Sequence, residues 1–175
     1  MSGLSGQTVV LVGGSAGIGF ETARLARAEG ADVVLTGRDP GKLAQAAEAV
    51  GARGTAAFDA TDPAAVASFF ADLPGTVDHV LITAGGPHYG PLLEMTADDV
   101  RSALGGHIAV ALEVARHAAP KMRPGGSLLL MGGTGGRRIG HGLGIVSAAT
   151  AACPWGSIGR SSRGAIVITF PGQDG

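Results

Sequence analysis

Three glycines open the stretch with the clearest chemical potential. Gly13, Gly17 and Gly19 follow the apolar, β-branched run Thr8 to Val12. They precede Phe20 to Glu29, whose alanines and leucines fall at helical intervals. A strand, a glycine turn and a helix together present free backbone N–H groups and a positive helix end to a phosphate. Glycine suits that turn because a side chain would hold a pyrophosphate away from the backbone. The spacing here is Gly-x-x-x-Gly-x-Gly, not the Gly-x-Gly-x-x-Gly of the common dinucleotide fingerprint.

Other reactive side chains are scattered. His107 lies in a long helical stretch, titrates near neutrality and could relay a proton. His88 and Tyr89 follow the fourth predicted strand, near the strand ends where open α/β sheets bind ligands. Thr134, Arg137 and Arg138 follow the fifth and could touch a ligand. His79, His117 and His141 show no metal-site spacing, so no metal is expected.

The elements that position these residues alternate along the chain. Strands are predicted at Thr8 to Val12, Ala31 to Thr36, Ala52 to Phe58, Val77 to Thr83 and Ser127 to Met131. Helices are predicted at Pro40 to Val50, at Pro63 to Leu73 with Asp62 as N-cap, and at Ala97 to Met122. Thr96 caps the last of these, Asp98 and Asp99 favour its dipole, and Gly105 and Gly106 weaken its middle. The order predicts an α/β fold, a doubly wound parallel sheet with helices on both faces. The long helix is apolar over more than one stripe (Val100, Ala103, Leu104, Ile108, Val110, Leu112, Val114, Ala115 and Ala118). One buried face needs only about a third of the circumference, so the surplus suggests a second partner, such as another subunit in a homo-oligomer.

A chain of 175 residues is expected to form one domain, regular over 1–131 and irregular and glycine-rich over 132–175. A net charge of −1 gives no pull toward nucleic acid or an acidic membrane surface. The single cysteine, Cys153, cannot support an internal disulfide framework. No apolar run approaches a membrane span, and the first residues lack the pattern of a signal peptide, so a cytoplasmic location is expected.

In four ordered motifs the chain resembles the short-chain dehydrogenase/reductase family. Val12-Gly13-Gly14-Ser15-Ala16-Gly17-Ile18-Gly19 is similar to its Thr-Gly-x-x-x-Gly-Ile-Gly loop. Asp59-Ala60-Thr61 resembles its adenine-holding Asp-Val segment, and Thr83-Ala84-Gly85 its Asn-Asn-Ala-Gly. Gly90-Pro91-Leu92 with Glu94-Met95-Thr96 resembles the lead-in to its long helix. The resemblance covers residues 7 to about 131 and implies a Rossmann-like three-layer α/β/α fold of strand order 3-2-1-4-5-6. It also implies a dinucleotide cofactor held by Gly13, Ser15, Gly17, Ile18, Gly19, Arg38, Asp59, Ala60, Ala84 and Gly85.

Cofactor choice is expected at the end of the second strand. A carboxylate there would bond the ribose 2′-hydroxyl and repel a 2′-phosphate. Gly37 fills that slot and Arg38 follows, with a guanidinium suited to phosphate, so NADP is expected over NAD. Ser15 could add a hydroxyl, and Asp39 either caps the next helix or neutralises Arg38.

The catalytic half departs from the family. Its tyrosine acid/base is tuned by a lysine four residues on, with a serine and a helix asparagine in support. Here the one tyrosine, Tyr89, precedes Leu93 by four residues, and the lysines are Lys42 and Lys121. Counted from the fifth strand, the serine, tyrosine and lysine slots fall near Gly133, Val146 and Thr150; counted back from Pro120, the asparagine slot is His107. Two readings follow: an NADP-dependent oxidoreductase moving a hydride to or from a carbonyl or enoyl substrate, or a non-catalytic NADP-binding protein or inactive fragment.

Beyond residue 152 helical periodicity is lost, and Ala165 to Phe170 reads as a sixth strand. Pro171-Gly172 resembles the Pro-Gly that the family places beside the nicotinamide. The family's substrate loop, last helix and last strand are missing from the sequence. A natural short form, a truncation and an altered reading frame all fit.

Overall fold

The β-branched runs assemble into a six-stranded sheet of order β3-β2-β1-β4-β5-β6 in the computed structural model. The structure describes residues 3–85, 90–131, 144–151 and 165–169, with backbone alone at 107, 150, 151 and 165–169. The strands are β1 (Thr8–Val12), β2 (Asp32–Gly37), β3 (Gly54–Ala57), β4 (Val77–Ile82), β5 (Met122–Met131) and β6 (Ala165–Thr169). The first five run parallel, in the order the sequence predicts.

The sixth strand departs from that expectation. It sits beside β5 as predicted but runs antiparallel, with Met131 opposite Ala165 and Ser127 opposite Thr169. A parallel return needs a crossover that carries the chain back along β5. Helix α6 (Gly144–Ala151) lies in the connection between β5 and β6, whose other residues, 132–143 and 152–164, lie outside the described residues. Helix α6 lies within the stretch 132–175 that the sequence reads as irregular and glycine-rich.

Helix α1 (Gly17–Ala28) starts ahead of the predicted Phe20, so the last two glycines belong to its first turn. Helices α2 (Pro40–Val50) and α3 (Pro63–Asp72) begin at proline behind Asp39 and Asp62, whose carboxylates accept from Lys42 N at 3.0 Å and Ala64 N at 2.9 Å. Asp39 therefore serves as the cap. The long helix is not continuous. It divides into α4 (Ala97–Leu104), a π turn (Gly105–Ala109), α5 (Val110–Ala118) and a 3-10 turn ending at Lys121, where β5 takes over. Two adjacent glycines weaken the helix at that point, and the π turn absorbs the break. The predicted Thr96 cap is a full capping box with Asp99.

Two apolar layers hold the sheet. Val10, Val12 and Val34 face Val66, Phe69 and Phe70 of α3 and Val110, Val114 and Ala118 of α5. Val9, Leu11, Val33 and Leu35 face Ala23 and Ala26 of α1 and Leu43 and Ala46 of α2. Alternate residues of β1 thus point into opposite layers, as a strand buried on both faces requires. The apolar surplus of the 97–122 segment is mostly absorbed within the chain. Val110, Ala111, Val114 and Ala118 are buried in the sheet–α3 layer, and α4 packs on α6. Leu112 stays exposed.

At the amino end of the sheet, His79 has both ring nitrogens engaged, Nδ1 with Ser127 Oγ and Nε2 with Gln7 Oε1, each at 2.7 Å. His79 is thus a satisfied structural residue. Among the described residues no cluster of histidine, cysteine or carboxylate could hold a metal, and no helix is long and apolar enough to cross a membrane.

Candidate functional site

The parallel strands β1, β2 and β4 end side by side, and the turns that leave them form a cleft of about 390 Å³. Gly13 and Ser15 come from the β1 turn, and Thr36, Gly37 and Arg38 from β2. Phe58, Asp59, Ala60 and Thr61 follow β3, and Thr83, Ala84 and Gly85 follow β4. Ser102, Ala103 and Gly106 of α4 and the π turn close the wall. A second hollow of about 300 Å³ shares Ala60, Thr61, Ser102 and Gly106 and extends the groove between α3 and the π turn toward Glu113.

The glycine turn is clamped between β2 and β4. Gly14 N donates to Thr36 O at 2.8 Å, and Ala84 N to Val12 O at 2.9 Å. Thr83 Oγ1 donates to Gly13 O at 2.8 Å. The clamp leaves no room for side chains. A Cβ on Gly13, whose φ is +101°, would lie 2.7 Å from both Ala84 N and Thr83 Oγ1. A Cβ on Gly19 would lie 2.3 Å from Gly13 O. By contrast, the region around a Cβ at Gly17 (φ +55°) is open.

Helix α1 begins behind Ala16 with no side-chain cap, whereas α2, α3 and α4 carry Asp39, Asp62 and Thr96. The first N–H groups of α1 are thus left for an external acceptor, and an anion is the ligand that the helix dipole favours there.

Among the described residues, charge in the cleft wall is confined to Arg38 and Asp59. Arg38 is exposed and takes no part in the ion pairs found among the described residues. Asp59 Oδ1 accepts from Thr61 N at 2.9 Å and from Thr61 Oγ1 at 2.8 Å. Those two bonds, the backbone one foremost, hold its carboxyl below the usual range, and Arg38 adds a smaller pull in the same direction. Asp59 Oδ2 remains available to a donor on a ligand.

Of the ten residues the sequence assigns to a cofactor, the cleft wall brings together Gly13, Ser15, Arg38, Asp59, Ala60, Ala84 and Gly85. Gly17, Ile18 and Gly19 form the first turn of α1 instead, with Ile18 exposed. His107 falls in the π turn, where its backbone alone is described. Gly133, His88, Tyr89, Thr134, Arg137, Arg138, His141, Cys153, Pro171 and Gly172 lie outside the described residues. Sequence reasoning missed Ser102 and Gly106, which reach the cleft only through the docking of α4. Thr36 and Phe58 were legible as strand-end positions but carry no motif.

Residues 12–154 match the family model described as Enoyl-(Acyl carrier protein) reductase. The cyclic-di-GMP-binding biofilm dispersal mediator protein of Escherichia coli (strain K12) is 33% identical over 143 residues, 79% of this chain and 58% of that protein. A short-chain type dehydrogenase/reductase from Mycobacterium ulcerans superposes with a TM-score of 0.79 at 25% identity, over 85% of this chain and 58% of the other. BdcA, solved in complex with NADPH, superposes with a TM-score of 0.74 at 30% identity, over 85% and 61%. The chain belongs to the short-chain dehydrogenase/reductase family, a family of oxidoreductases. It spans between 58% and 61% of the length of these three relatives.

Proposed function

We propose that the cleft binds NADP(H) and serves an oxidoreductase that moves a hydride to or from a carbonyl or enoyl carbon. The observation that carries this reading is Arg38, a cleft-wall guanidinium outside the ion pairs found among the described residues, beside a glycine that can offer no carboxylate. The solved NADPH complex of BdcA supports it by likeness. The residues present fit a dinucleotide. The open region beside Gly17 leaves room for a pyrophosphate against bare backbone, and the open N–H groups of α1 receive its charge. Arg38, with the Ser15 hydroxyl, holds the 2′-phosphate. Asp59 Oδ2 accepts from the adenine amine, while Ala84 and Gly85 lie along the cofactor. Bound there, the nicotinamide supplies or accepts the hydride.

With no Tyr-x-x-x-Lys in the sequence, the proton comes from His107, water or the substrate itself. Calorimetric titration with NADPH and NADH tests the cofactor claim. Tighter binding of NADPH is expected, and equal or tighter binding of NADH overturns it.

A second reading, binding without turnover, is favoured by α6. Val146, at the position counted as the family's tyrosine slot, is a buried valine. Single-turnover oxidation of NADPH with carbonyl and enoyl compounds separates the two. Hydride loss with any of them supports the enzyme, and binding without oxidation supports the second reading. Self-association through residues 97–122 belongs to the same proposal, with Leu112 the exposed apolar side chain of α5. Sedimentation of the wild type and Leu112→Glu tests it, since the variant should be smaller.

A further inference from the structure

We propose that the hollow between β3 and the end of α3 is a second ligand site, which takes a small apolar amine. It is separate from the cofactor cleft, and the proposal does not rest on the NADP reading.

The cleft sits where the parallel strands end, and this hollow sits where they begin. Thr8 and Gly54, the first residues of β1 and β3, both line it. Its volume is about 310 Å³, at the lower end of the roughly 300–1,000 Å³ of small-molecule sites. Val34 and Ala56 form its sheet side, and Phe69, Leu73 and Pro74 its helix side. Val34, Phe69 and Leu73 are buried members of the sheet–α3 layer, so the hollow opens onto apolar core.

Gly54 keeps the hollow open. It is not among the glycines with positive φ, and a Cβ built on it meets no atom within 4 Å. Neither backbone shape nor packing therefore calls for glycine there, although glycine weakens a strand. Gly54 pairs with Val34, whose side chain lines the same hollow, so a side chain at 54 would occupy that space. A strand glycine of this kind marks a place where a ligand can come close.

Charge selects the ligand. Among the described residues, the charged side chains lining the hollow are Arg53 and Asp72. Arg53 is already bonded to Asp32, Nη1 to Oδ2 at 2.8 Å. Asp72 has no ion pair among the described residues. Lys121 binds backbone instead, donating to Ala71 O at 3.1 Å and Leu73 O at 2.9 Å. A carboxylate without a counter-ion thus borders an apolar hollow. The matching ligand carries an apolar body and an ammonium group, and an aryl body suits the Phe69 ring.

The test titrates the full chain with phenethylamine at fixed ionic strength, followed by NMR of the backbone amides. Phenylpropionate, with a similar body and the opposite charge, is the comparison. Amide shifts centred on residues 53–56 and 69–75 and a Kd of about 1 mM are expected for the amine, with weaker binding of the acid. Gly54→Val should keep or raise Tm, because valine suits a strand, and should abolish the shifts. Asp72→Asn should weaken the amine about two- to fivefold, as loss of an exposed charge pair implies.

Absence of shifts in those amides at about 20 mM phenethylamine would overturn the site, as would wild-type binding by Gly54→Val. Unchanged amine affinity in Asp72→Asn, or phenylpropionate binding as tightly as the amine, would overturn the assignment to an amine. Should Gly54→Val fail to fold, the wild-type shift map decides the place, and Asp72→Asn, altered at an exposed position, decides the charge.

Discussion

Replacing Gly19 with alanine strikes the cradle where it is tightest. The new Cβ would fall 2.3 Å from Gly13 O and 2.7 Å from Thr83 Oγ1. Neither neighbour can give way easily. Gly13 O is backbone and accepts the Thr83 hydroxyl at 2.8 Å, and Thr83 N is itself bonded to Val12 O at 2.9 Å. Relief must come from moving the turn or the start of α1. Overpacking of this kind costs about 1–3 kcal/mol. In a chain of this size each kcal/mol lowers Tm by about 2–4 °C, so a fall of about 2–12 °C is expected. The same movement displaces the first N–H groups of α1, so NADPH affinity should drop by about tenfold or more. Differential scanning fluorimetry gives the first quantity and calorimetry the second. A Gly19→Ala variant with wild-type Tm and wild-type NADPH affinity would refute the tight-clamp reasoning.

Three further outcomes are expected. Asp39→Ala removes the cap on Lys42 N and should cost about 1 kcal/mol, seen as a lower Tm, with the NADPH-to-NADH preference unchanged. A changed preference would return Asp39 to the charge role. Gly105 has φ −64° and ψ −43°, with nothing within 4 Å of a Cβ, so Gly105→Ala should stabilise by about 0.5–1 kcal/mol, read as a raised Tm. A lower Tm would mean that the π turn needs the glycine for its shape. Asp59 has a depressed pKa, so its contribution to stability is present above the ordinary carboxylate value and fades as pH falls through the depressed one. Tm should therefore fall more steeply below about pH 4 in the wild type than in Asp59→Asn, and equal slopes would contradict the assignment.

The cofactor half of this site was legible because its determinants are local. The run Thr8 to Val12, the glycines after it, and the Asp39-Pro40 and Asp62-Pro63 pairs each specify backbone through neighbours in sequence. What escaped depends on contacts far along the chain. Ser102 and Gly106 carry no signal until α4 docks beside the strand ends. The break at Gly105 was legible as a weakness, but its form as a π turn follows from how α4 and α5 pack separately. Helix α6 was hidden in an alanine-rich stretch beside glycines, where propensity alone does not choose a helix. The direction of β6 was not legible, since Ala165 to Phe170 reads as a strand either way. Asp39 is the instructive middle case. Cap and counter-ion were equally open from its type and place, and the 3.0 Å bond from Lys42 N resolved them toward the cap.

The central claim, an NADP site governed by Arg38, is tested most directly by one comparison. NADPH and NADH are titrated by calorimetry into the wild type and into Arg38→Ala at fixed ionic strength. The wild type should favour NADPH, and the variant should lose about tenfold or more of NADPH affinity while NADH binding stays nearly constant. An unchanged ratio of the two affinities in Arg38→Ala would contradict the account.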